Sequence, residues 1–210
     1  MSDQSEKKSL SLNFETVGSI VAMIVGMTAL FVAWDQSQIM RKEQHANVLP
    51  IITVLAGFST NSAQHTMLIE IENNGVGPAL IQTAELSVGQ LKVDSWPTMS
   101  NDLLPEPLRS GYSTSFGTAV GALSDGQRKV LARVTWPRSE ENDEAFQVLQ
   151  SAVLGSDQAG DLSVCYCSVF DRCWIVNRES QNRPQRVEVC QNQGYDFSAN
   201  LMATLNQVDE

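Results

Sequence analysis

TMLIEIENNGVGPALIQTAELSV, residues 66–88, is the most informative stretch of the chain. From 66 to 72 it alternates. Met67, Ile69 and Ile71 fall on one face, and Leu68, Glu70 and Glu72 on the other, as in a strand covered on one side. Asn73-Asn74-Gly75 is a turn signal, and Gly77-Pro78 extends it. A second extended run follows over 80–88.

The same grammar recurs on both sides of this stretch. Residues 51–58, 91–96, 112–116, 130–136, 162–170, 173–176 and 187–190 read as further short strands rich in β-branched and apolar residues. Val88-Gly89-Gln90-Leu91 and Ser124-Asp125-Gly126 read as tight turns. Residues 97–107 carry Pro97, Pro105 and Pro107 and read as a loop. One helix interrupts the strands. Ser139 can cap it, and Glu140, Glu141, Asp143 and Glu144 suit its positive end. Phe146, Leu149 and Val153 line one face, and Gly155 stops it. A second short helix is expected over 198–205. Short strands at close spacing predict a mainly β protein, an Ig-like β-sandwich with one inserted helix.

The N-terminal part is different. Residues 17–34, VGSIVAMIVGMTALFVAW, contain no charge between Glu15 and Asp35. As a helix they span roughly 27 Å, near the thickness of a bilayer's hydrocarbon core. Thr16, Ser19 and Thr28 are tolerable there because hydroxyls bond back to helix carbonyls. Trp34 sits at an interfacial position. The apolar run is followed by no small-x-small cleavage site, so it reads as an uncleaved signal anchor. Four parts follow: a polar cytoplasmic tail (1–13), a transmembrane helix (14–34), a helical juxtamembrane spacer (35–48) and an exoplasmic β-domain (50–210). The spacer has no Gly or Pro and should prolong the helix until Pro50.

Lys7 and Lys8 on one side and Arg41 and Lys42 on the other leave the positive-inside rule tied. The cysteines break the tie. Cys165, Cys167, Cys173 and Cys190 are the only cysteines and lie late in the chain. An even set in a β-rich region suits disulfides in an oxidising compartment. The expected location is a bacterial inner (plasma) membrane, N-terminus cytoplasmic and C-terminal domain periplasmic. The spacing opposes the other readings of the cluster. Zinc sites favour Cys-x2-Cys knuckles, and redox pairs favour Cys-x-x-Cys at a helix start. Cys165 and Cys167 share one face of a strand, so each should bond a neighbouring strand rather than the other. Asp171-Arg172 reads as a hairpin tip returning Cys173 alongside. The connectivity stays open.

Twenty-four acidic residues against 14 basic give a net charge of −10, which argues against a nucleic-acid partner. The chain has only two histidines, His45 and His65, and both read as surface residues. The acidic run 140–144 lacks the spacing of a calcium loop and reads as a solvated helix start. No phosphate loop, His-Glu-x-x-His or Gly-x-Ser-x-Gly occurs, so no catalytic, cofactor-binding or metal site is expected. Within the membrane helix, Gly18, Ala22 and Gly26 recur every fourth residue, continued by Ala29 and Ala33. Small residues on one face let helix backbones approach in lipid.

The segment 68–79, LIEIENNGVGPA, resembles the apolar strand and Asn-x-Gly-x-Gly-Pro-Ala turn of uncharacterised bacterial membrane-anchored proteins. These share the order of tail, single membrane helix, polar spacer and β-domain. Their later Cys-Tyr-Cys-Ser segment is similar to residues 165–168. The resemblance implies no activity. Physically, the glycines permit left-handed turn geometry and Pro78 fixes the exit. The expectation is a non-enzymatic single-pass membrane protein, an assembly, accessory or binding subunit whose partners are other membrane-protein subunits or its own copies. Its rivals are an enzyme with a site assembled from dispersed residues and an exoplasmic ligand sensor.

Overall fold

The computed structural model describes residues 14–46, 48–155, 160–180 and 183–205. The tail expected over 1–13 lies outside them. The chain divides into two units, Met1–Ala46 and Asn47–Glu210.

The first unit is one helix, α1 (Phe14–Ala46). Its window Val17–Met40 is long and apolar enough to cross a membrane. Side chains along it are open: Leu30 is 74% and Phe31 75% exposed. Thr28 donates its hydroxyl to the carbonyls of Ile24 and Val25, hiding its polar group within the helix. The helix runs unbroken through the polar stretch after Trp34, as expected of a segment rich in helix formers without Gly or Pro.

The second unit is a β-sandwich. Its strands are β1 (Ile52–Thr60), β2 (Gln64–Asn73), β3 (Ala79–Val88), β4 (Leu91–Val93), β5 (Ser113–Phe116), β6 (Gly121–Leu123), β7 (Arg128–Pro137), β8 (Gly160–Cys167), β9 (Cys173–Val176) and β10 (Gln185–Val187). One sheet runs β1-β2-β7-β5 and the other β10-β9-β8-β3-β4, with β6 also paired to β3. Every strand pairing is antiparallel among the described residues. The alternation in β2 sets its burial: Met67, Ile69 and Ile71 enter the core. On the other face, Glu70 and Glu72 share the guanidinium of Arg128.

Ile52, Ile71, Ile81, Leu131, Val134, Val164 and Tyr166 fill the space between the sheets. Each buried aliphatic side chain of this size stabilises the fold by about 1.5–3 kcal/mol relative to exposure. Two buried tryptophans close the ends of their own polar accounting. Trp136 Nε1 donates to the Leu108 carbonyl at 2.7 Å, and Trp96 Nε1 donates to Tyr112 Oη at 2.9 Å.

The stretch 97–107 is not the open loop that its prolines suggested. It forms an α-turn, α2 (Trp96–Thr98), a wide turn over Met99–Leu103 and a 3-10 turn over Glu106–Arg109. Pro97 and Pro107 are the second residues of their turns, within the first turn where a missing N–H loses no intrahelical bond. Ser95 caps α2, and Met99, Leu104 and Leu108 are buried. Three strands also differ in extent. The expected strand 91–96 stops at Val93 because Trp96 starts α2. β8 stops at Cys167 because Asp171, at φ 55°, turns the chain. The last strand is Gln185–Val187, and the residues after it leave the sheet to bring Cys190 over β8. Two helices complete the unit, α3 (Glu140–Leu154), capped by Ser139, and α4 (Phe197–Leu205).

Candidate functional site

A departure from close packing between the two sheets lies along β1. This strand is the outer member of its sheet, with β2 on one side only. Ala56 pairs with Ile69 and so belongs to the inward face, yet it is exposed. The two sheets part there. The gap is a cleft of about 330 Å³. Its walls include Val54 and Phe58 from β1, Met67 from β2, Leu86 from β3, Met99, and Val153 from the end of α3. The lining is predominantly aliphatic, and Arg178 is its only charged member among the described residues. Such a volume sits at the low end of the roughly 300–1,000 Å³ typical of small-molecule sites. Among the described lining residues there is no carboxylate, imidazole, thiol or hydroxyl. The cleft is therefore equipped to bind an apolar group, not to move a proton.

A second constellation sits at the hairpin between β1 and β2. His65 is buried, which corrects its reading as a surface residue. Its Nε2 lies 2.7 Å from Asp143 Oδ1 and its Nδ1 2.8 Å from Thr60 Oγ1. The ring stacks on Phe146 at 4.4 Å between centroids. Arg138 pairs with the same Asp143 carboxylate through Nε at 3.0 Å and through Nη2. Bonds first from Arg138 and then from His65 hold the Asp143 carboxyl down at about 2. The acidic run at the start of α3 is thus not simply solvated: Asp143 ties the helix to the hairpin. The row of hydroxyl, imidazole and carboxylate has the composition of a hydrolase triad. It lacks the rest of one. The adjacent N–H groups of Ala63 and Gln64 donate to Asn61 Oδ1 and are not open to an oxyanion. No sequence motif marks this group, since residues 60, 65 and 143 come from β1, β2 and α3 and residue 138 from the link between β7 and α3. His45 falls in a stretch whose side chains lie outside those described.

The cysteines occupy the outer face of the second sheet, while Val164 and Tyr166 between and beside them face the core. Cys167 and Cys173 stand opposite each other in register and are bonded; Cys165 is bonded to Cys190. None of the four is free. Together with Ile175 and Val187 they form a small cluster separate from the main core. Their thiols are consumed, so the near approach of Cys167, Cys173 and Cys190 offers no metal site. Two disulfides fit an oxidising compartment.

The turn after β2 is a structural lock. Asn73 is fully buried. Its Oδ1 accepts from Ile51 N and Gly75 N, and its Nδ2 donates to the carbonyls of Gly77 and Leu123. A Cβ on Gly75 would lie 2.3 Å from Ile51 N and Leu49 O. Gly77 has φ +94°. The Asn-x-Gly-x-Gly-Pro pattern thus seats the chain that enters the β-domain.

On α1, an added Cβ at Gly18 or Gly26 meets nothing within 4 Å, so both glycines present open helix surface, at the same spacing as Ala22. Ala29 and Ala33 are likewise exposed. The chain matches no protein-family model and no curated protein.

Proposed function

We propose that this is a non-enzymatic single-pass membrane protein, an accessory or binding subunit of a membrane complex. Its anchor holds the N-terminus in the cytoplasm and the β-domain in the periplasm, at a bacterial inner membrane. The observation that carries the reading is the open apolar surface of Val17–Met40 joined to a disulfide-bonded β-domain. Lipid covers most of such a helix, and the face of Gly18, Ala22, Gly26, Ala29 and Ala33 supplies a groove where a second helix gains dispersion contacts that lipid chains fit less well. The resemblance to anchored bacterial proteins points the same way.

The test is isolation of the complex from membranes with full-length tagged protein, beside Gly26→Ile and Ile24→Leu. Gly26→Ile should weaken partner retention by about 1 kcal/mol or more, roughly fivefold, and Ile24→Leu should change it little. Equal retention by all three would remove the helix from the interface. A reporter active only outside the cytoplasm, fused after Glu210, should be active. Silence there, with an active cytoplasmic reporter at the same point, would reverse the topology. Turnover of a generic ester, lost in Thr60→Val, would replace the binding role with an enzymatic one.

A further inference from the structure

We infer that the cleft beside β1 binds a single-chain anionic amphiphile, its alkyl chain between the sheets and its carboxylate against Arg178. The inference stands on the β-domain alone and goes beyond the role in a complex.

Three observations point to this occupant. The first is the gap itself. Ala56 is an inward position by register but lies open, so the cleft is a packing fault that apolar matter would fill with gain. The second is its chemistry and size. Val54, Phe58, Met67, Leu86, Met99 and Val153 offer adaptable aliphatic and thioether surface. A volume of about 330 Å³ is roughly twice the ~150 Å³ that admits one benzene ring, room for one alkyl chain rather than two. The third is charge. The molecule carries −10 overall, yet among the described residues the only charge lining this cleft is positive. Arg178 is exposed and makes no ion pair among the described residues, while its backbone N–H is fixed on Asp161 Oδ1 at 2.7 Å. An unpaired guanidinium on a fixed backbone at the rim of an apolar slot matches a carboxylate at the end of a chain.

The experiment uses the full chain reconstituted in vesicles of neutral phosphatidylcholine. The probes are a diazirine-bearing fatty acid and an alkylamine with the same chain and diazirine. After photolysis, labelled peptides are mapped by mass spectrometry, and labelling of α1 reports partition into the bilayer. The acid should label the peptides of β1 and of the Met99–Leu103 turn, and excess dodecanoate should displace it. Ala56→Trp, which fills the slot, should abolish that labelling. Arg178→Glu should weaken the acid roughly five- to tenfold and not the amine. Thermal melts of both variants establish that they fold, and the exposed Arg178 provides the variant least able to disturb the core. Labelling confined to α1, labelling of the cleft that survives Ala56→Trp, or equal labelling by acid and amine would each overturn the proposal. So would a covalent dimer formed through a photocrosslinker at position 56, which would give the cleft to a second copy.

Discussion

The two ends of the β1–β2 pair are held by opposite physics. At one end, Asn73 and Gly75 bind the incoming chain through neutral hydrogen bonds and close backbone contact, with the Asn73 side chain fully out of water. At the other, His65, Asp143 and Arg138 join hairpin to helix through charge, with Asp143 partly open. Between them lies the gap at Ala56. The comparison shows that an edge strand can be fixed at both ends and still leave its middle unpacked. It also shows why one clamp should be rigid and insensitive to pH and the other adjustable. Amide groups carry no titratable charge, whereas the Asp143 carboxylate does, at about 2.

The steepest way to break the comparison is Gly75→Ala. The new methyl would sit on the backbone of Leu49 and Ile51, which cannot swing away as a side chain can. A loss of about 4 kcal/mol or more is expected, at the exceptional end for one substitution. Gly57→Ala is its control, because a Cβ there meets nothing within 4 Å. It should change the unfolding free energy from denaturant titration by less than about 0.5 kcal/mol. Comparable losses for both would mean that the close approach at Gly75 relaxes freely.

His65→Ala should cost less, about 2–3 kcal/mol. It removes a buried ring stacked on Phe146 and leaves Thr60 and Asp143 without one partner each. Because Arg138 still holds Asp143, α3 should keep its helicity by circular dichroism while amide exchange at the hairpin accelerates. Unchanged exchange in residues 60–65 would show that the ring does not hold the hairpin.

The smallest effect is acid sensitivity of the charged clamp. Asp143 titrates at 3.8 unfolded and about 2 folded, so its contribution is complete above pH 3.8 and is lost as the pH falls towards 2. Amide exchange at the hairpin should rise through that window, and Asp143→Asn should flatten the rise. The Asn73 turn should show no such step. A rise that persists in Asp143→Asn would assign the acid sensitivity to another carboxylate.

How much of this was written plainly in the chain depends on how far each feature reaches. The β-strands, the helix start at Ser139, the N-terminal apolar helix and the Asn73–Pro78 turn follow from contacts within a few residues, and alternation, capping and turn chemistry express those directly. The shared face of Cys165 and Cys167 followed from strand periodicity, but their partners did not, because pairing depends on where the chain after β10 returns. Prolines at 97 and 107 misled because the same ring that breaks a helix interior is tolerated in its first turn, where the N–H has no intrahelical partner. The short strand β6, only Gly121–Leu123, carries too few residues for any period to show. His65 looked like a surface residue until the fold carried Asp143 to it across 78 positions. The cleft had no local signature at all. An alanine at position 56 reads the same whether or not a wall stands opposite, and only the spacing of two sheets decides whether it is covered.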